Sequence, residues 1–174
     1  MKNQISNTLP QPMTVQLDSV ATGFLDVVNS FAIADFNRVP FEGSWSAAEV
    51  AEHIRLSVTG TIETISAGTG VTERAPDQYV GAIKGIFLDY DAKYPSAQTL
   101  IPVKKEYDKA ELQAGLKNVL ARLQALVESA DLTNTCLSPK FTGIGQLTQL
   151  EWLSVAVYHT QRHIHQLENI REQL

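Results

Sequence analysis

The sequence predicts an all-α fold, a four-helix bundle with one additional short helix. Three observations carry this. Four long segments repeat apolar residues at three- and four-residue steps, the period of a helix with one buried face. Three of them open on a residue able to cap a helix, followed three places later by glutamate. No convincing strand pair, internal repeat or low-complexity tract stands out.

The first twelve residues are polar and contain two prolines, so 1–12 reads as a loose lead-in. From Met13 to about Phe36, Leu17, Val20, Phe24, Val27, Val28 and Phe31 form an amphipathic stripe, which Pro40 and Gly43 end. Ser46 and Glu49 then have capping-box spacing, and Val50, Ile54, Val58, Ile62 and Ile65 continue as the second stripe until "AGTG" at 67–70. A short helix is expected over about 77–90, weakened by Gly81 and Gly85. Residues 91–106, with Pro95 and Pro102, read as a loop long enough to cover something rather than merely connect. Asp108 and Glu111 open the next long helix, whose stripe runs from Leu112 to Val127. After a loop over 131–147, Thr148 and Glu151 form another capping box, and the last helix reaches about Arg171.

Length and composition fit one domain, 1–174, able to bury a continuous core. The net charge of −5 comes without any run of Lys or Arg, so no basic footprint for nucleic acid is present. No stretch approaches the roughly 18 apolar residues of a membrane span, and the N-terminus lacks an apolar core of signal-peptide length. A soluble cytoplasmic protein is expected. The single cysteine, Cys136, reads as a partly buried hydrophobe rather than a reactive thiol. One cysteine excludes zinc-finger and thioredoxin motifs, and there is no phosphate-binding glycine loop, nucleophile elbow or Glu-x-x-His pair of a di-iron bundle.

Chemistry concentrates in the histidines. The segment "VYHTQRHIHQ" holds His159, His163 and His165. At 100° per residue, with Leu150 at zero, the apolar positions of the last helix occupy roughly 200–340°. His163 falls near 220° inside that sector, His159 near 180° at its edge, and His165 near 60° on the far side. The first two form an inward pair at i and i+4, which can place two imidazoles on one metal ion or can simply be hydrogen-bonded structural residues. His53, on the flank of the second stripe beside Ser57 and Gly60, can complete a three-nitrogen site if the two helices meet. By position alone the reading as a polar residue at a helix margin comes first. Glu52 is a candidate partner or general base, or a solvated acid. Gln166 and Tyr158 flank the pair and can orient ligands or lie at the surface. Trp45 reads as a packing anchor at a pocket mouth, Trp152 as core, and His165 as a solvent-facing group near the helix C-terminus.

These residues also carry a family resemblance. "WSAAEVAEHI" (45–54) resembles the second-helix signature of the DinB/YfiT superfamily, a Trp-Ser opening followed by Glu and then His. "LTQLEWLSVAVYHTQRHIHQLENI" (147–170) resembles that family's last helix, where a His-x-x-x-His pair is followed by Gln, and "LIPVKKEYDKAEL" is similar to its approach to the third helix of the bundle. The resemblance spans nearly the whole chain. It implies a four-helix bundle that binds one divalent metal ion, zinc or nickel, through His53, His159 and His163. It also implies a metal-dependent enzyme acting on a small molecule, either a transferase using a low-molecular-weight thiol or a hydrolase, and a homodimer. The alternative is a non-catalytic stress-response or binding module with a structural or vestigial metal site.

Overall fold

The computed structural model describes residues 12–174. The lead-in expected over 1–12 therefore lies, apart from Pro12, outside the described residues. Six α-helices follow: α1 (Met13–Ser30), α2 (Ile33–Phe36), α3 (Ala47–Ser66), α4 (Val80–Leu88), α5 (Lys109–Ser129) and α6 (Gln149–Glu172). The four long ones, α1, α3, α5 and α6, form the bundle.

Packing partners define the topology. Helix α1 lies against α5 and α6, and α3 lies against the same two. The cyclic order around the core is therefore α1, α6, α3, α5. Successive long helices α1 and α3 sit on a diagonal, as do α5 and α6, so the bundle is not a simple up-down-up-down array. This is why the connections over 37–46 and 130–148 are long: each must cross an end of the bundle rather than turn back to a neighbour. The same order makes α3 and α6 neighbours, which brings His53 toward the inward pair. Helix α4 packs on the outside of α6.

The helix starts follow their sequence signatures. Ser46 and Glu49 exchange both bonds of a capping box, as do Thr148 and Glu151, and the Asp108 carboxylate accepts from the Glu111 amide. Inside, Phe24, Val28, Ile54, Leu116, Leu123, Leu153 and Leu167 are buried in one continuous cluster. The first stripe is interrupted, however, where one helix to Phe36 was expected. Phe31 and Ala32 are extended, and a single turn, α2, follows. In an unbroken helix Phe31 and Phe36 would project about 140° apart; the break turns both inward, and both are buried. Lys109 Nζ donates to the carbonyls of Asn29 and Phe31 exposed at that break.

The loops hold more structure than their composition announces. Thr69–Gly70 (β1) pairs antiparallel with Thr135–Cys136 (β2), tying the exit of α3 to the approach to α6. Two-residue strands are too short to show a periodicity, which is why none was expected there. Cys136 is fully buried beside this ladder, and burial pushes its thiol up to about 11. It is inert, as its sequence context indicates. The 91–106 segment contains a 3₁₀ turn, Gln98–Leu100, packed on α3. Among the described residues no helix is long and apolar enough to cross a membrane.

Candidate metal centre

Helices α3 and α6 meet at a cluster of three imidazoles. His53 Nε2 lies 3.0 Å from His159 Nε2, and His163 Nε2 lies 3.0 Å from the same atom. The ligand atoms of the three rings all fall within 4.8 Å of one another. The i, i+4 step on α6 stacks His159 and His163 on one face, and the bundle order supplies His53 from the neighbouring helix.

Each ring is held at its other nitrogen. His53 Nδ1 lies 2.8 Å from the Leu100 carbonyl, contributed by the 3₁₀ turn. A carbonyl only accepts, so His53 Nδ1 carries the proton and its Nε2 presents a lone pair. His163 Nδ1 lies 2.6 Å from Gln166 Oε1, which fixes the same tautomer. His159 Nδ1 lies 3.0 Å from Ser57 Oγ, and a hydroxyl can act either way. Lone pairs from His53 and His163 thus point at His159 Nε2 together. One proton on that atom can satisfy one neighbour and not both. A cation between the three nitrogens satisfies all of them. The 3.0 Å spacing is close to the roughly 3.3 Å edge of a tetrahedron with 2.0–2.1 Å metal–nitrogen bonds. An all-imidazole set suits zinc, nickel, copper or iron rather than magnesium or calcium.

The surroundings keep the rings neutral. Burial holds His53 below its ordinary value, against the opposing pull of the Leu100 carbonyl. Burial, then the neighbouring histidines and Arg162, drives His159 far lower. Burial and the His53 charge push His163 down to about 3. The apo cluster therefore refuses protons that the unfolded chain accepts below its ordinary histidine value of 6.5. Folded-state values below the unfolded ones mean that stability falls as pH drops through 6.5, down to about 3 for His163. Chelator-treated protein is expected to lose about 1.4 kcal/mol per pH unit from His163 alone below that point, with His53 and His159 adding to it. Urea denaturation at pH 7 and pH 5 checks this, and equal midpoints would contradict it.

Aromatic rings wall the cluster. The Trp45 ring centroid lies 5.0 Å from that of His53, and Phe87 on α4 lies 5.1 Å from His159. His53 and His163 are buried, whereas His159 keeps part of its surface accessible. The other candidates separate clearly. Glu52 turns away and takes two bonds of 2.7 Å from Arg55, so it contacts none of the three rings. Tyr158 is buried, with its hydroxyl 3.5 Å from Gln16, away from the ring nitrogens of the cluster. His165 is half-buried, stacked at 4.2 Å on Tyr90 rather than standing free in solvent. Trp152 is only partly buried, edge-on to Phe141. Sequence reasoning missed the Leu100 carbonyl, which no side-chain pattern can announce, and Arg162.

A four-helix bundle with a diagonal order and a three-histidine cluster shared by two neighbouring helices defines the class. The chain belongs to the DinB superfamily, whose family model matches residues 16–167. Among solved structures it is similar to YfiT from Bacillus subtilis, described as a probable metal-dependent hydrolase with an unusual four-helix bundle topology. The TM-score is 0.59 at 14% identity, over 99% of this chain and 91% of that one. It is also similar to TT2238, described as a four-helix bundle protein, with a TM-score of 0.52 at 19% identity over 90% of this chain and 96% of that one. At these identities the likeness shows the fold. No curated protein matches the sequence.

Proposed function

We propose that His53, His159 and His163 hold one divalent metal ion, zinc or nickel, and that the centre activates a nucleophile for a reaction on a small molecule. The observation that carries this reading is the convergence of three Nε2 atoms, two of which compete for one proton on the third, each ring held from behind. Bound there, a divalent ion would supply Lewis acidity and lower the pKa of water, for hydrolysis, or of a thiol, for transfer. The thiol would come with the substrate, because Cys136 is buried away with a raised pKa.

The protein's own part is positioning. Leu100, Ser57 and Gln166 hold the rings with their free nitrogens facing inward, as ligand-orienting partners do in metal sites. Trp45 and Phe87 shield two sides from bulk water. Three protein ligands leave room for an exogenous group, the arrangement of catalytic rather than closed structural sites. The reading predicts one equivalent of zinc or nickel per chain after reconstitution and desalting, measured by elemental analysis. A stoichiometry near zero for both metals would reject it.

A further inference from the structure

Charge around the cluster has a direction that the three histidines alone do not determine. In many metal sites a ligating histidine passes its second N–H to a carboxylate, which offsets part of the charge of the ion. Here every such acceptor is neutral: a backbone carbonyl, a serine hydroxyl and a glutamine amide oxygen. Four carboxylates on adjacent elements are engaged elsewhere. Glu52 is bound to Arg55, Glu49 to the Ser46 amide, and Glu151 to Arg74. Asp89 is turned back on the amides of Asp91 and Ala92.

One cation does stand beside the cluster. Arg162, on α6 between His159 and His163, donates to the carbonyls of Phe87, Asp89 and Ala92, across the C-terminal end of α4. Its guanidinium lies over the Tyr94 ring at 5.9 Å. Among the described residues it has no carboxylate partner. Its hydrogen bonds go to carbonyls at the end of α4, so the helix dipole favours it there but no carboxylate neutralises it. That charge is felt at His159 and His163, adding to the lowering that burial imposes.

We infer that the metal centre is charge-selective: with a neutral set of ring-holding groups and an unpaired Arg162 beside it, its open position takes an anionic donor, so the substrate binds through an anionic oxygen or sulfur group. The inference rests on the metal reading above. Two positive charges on the ion and one on Arg162 meet no carboxylate among the groups that hold the rings, and an incoming anion supplies the negative charge. A neutral donor gains nothing from this field. Gln166 and Arg162 become the residues that set the preference, one by being an amide rather than an acid, the other by its charge.

Cobalt(II)-loaded protein tests this through its visible absorption, titrated with azide as the anionic probe and imidazole as the neutral one, in low-halide buffer. Gln166→Glu keeps the shape and the bond to His163 while adding a negative charge. It is expected to weaken azide about five- to tenfold, as a unit charge several ångströms away does at an intermediate dielectric, and to leave imidazole unchanged. Arg162→Gln is expected to weaken azide severalfold, whereas Arg162→Lys, which keeps the charge, retains azide affinity. Unchanged azide binding in Gln166→Glu, or an equal loss in Arg162→Lys and Arg162→Gln, overturns the charge role. Failure of wild-type protein to bind cobalt overturns the metal reading itself, a result distinguishable from either.

Discussion

His159→Ala is expected to abolish stoichiometric metal binding while leaving the bundle folded. His159 is the hub of the cluster: its Nε2 is the atom that lies 3.0 Å from both other nitrogens. Apparent binding energies of zinc sites run to about 10–16 kcal/mol, so one ligand of three is worth roughly 3–5 kcal/mol, a loss of two to four orders of magnitude in affinity. Chelator competition measures that loss directly. Folding should respond differently. Without metal, His53 and His163 compete for the single proton that His159 Nε2 can carry, and truncating the middle ring relieves that conflict. The apo variant is therefore expected to unfold within about 1 kcal/mol of apo wild type, since the relief offsets the lost packing. With metal at a hundred times Kd, wild type alone should gain about 2.7 kcal/mol. Equal stoichiometric metal in both proteins would end the case for this ligand set.

The parts of this site differ in how plainly the sequence displays them. His159 and His163 are readable because a helix has a fixed angular step, and two residues four apart must share a face. The capping boxes at Ser46 and Thr148 are readable for a related reason: both partners lie within one turn. His53 stays ambiguous at that level, because nothing local says which helix α3 will touch. Its membership depends on the diagonal order of the bundle, a property of the whole chain. The family resemblance supplied that placement where spacing did not. Leu100 lies further out of reach, since it acts through a backbone carbonyl from an aperiodic loop 47 residues away from His53. Arg162 shows the same limit: its partners are the carbonyls of Phe87, Asp89 and Ala92, not side chains. The break at Phe31 was hidden because an apolar stripe with helical spacing does not reveal a two-residue interruption. Contacts within a helical turn are legible; those that cross between elements through the backbone are not.

The largest effect on stability is expected one turn into α6, at Glu151. Its carboxylate is fully buried, yet four donors reach it: both terminal nitrogens of Arg74, at 2.7 and 2.6 Å, and the amides of Thr148 and Tyr79, each at 2.8 Å. It thus caps its own helix, fixes the entry to α4 and pairs with an arginine 77 residues away. Burial raises its pKa, but the Arg74 bonds and the two amides outweigh burial and hold it below the usual 4.5. Glu151→Ala strands two amides and a guanidinium together. Removing one partner of a buried pair costs about 3–5 kcal/mol, a fall of roughly 10 °C in Tm for a chain of this size. Arg74→Ala should cost less, because its side chain is 23% exposed and the carboxyl left behind can neutralise by taking a proton. A double-mutant cycle isolates the coupling between them. The pH dependence has a definite sign: a carboxyl held low in the folded state stabilises above its unfolded value, and that contribution drains away as pH falls below about 4.5. This window opens below the pH at which histidine protonation begins to act and overlaps the range that His163 spans down to about 3, so acid destabilisation should steepen below about 4.5. That added steepness should be lost in Glu151→Ala, leaving the histidine contribution. A variant that unfolds within 1 kcal/mol of wild type at pH 7, or that loses stability below pH 4.5 as steeply as wild type, would show that Glu151 does not hold the two helices together.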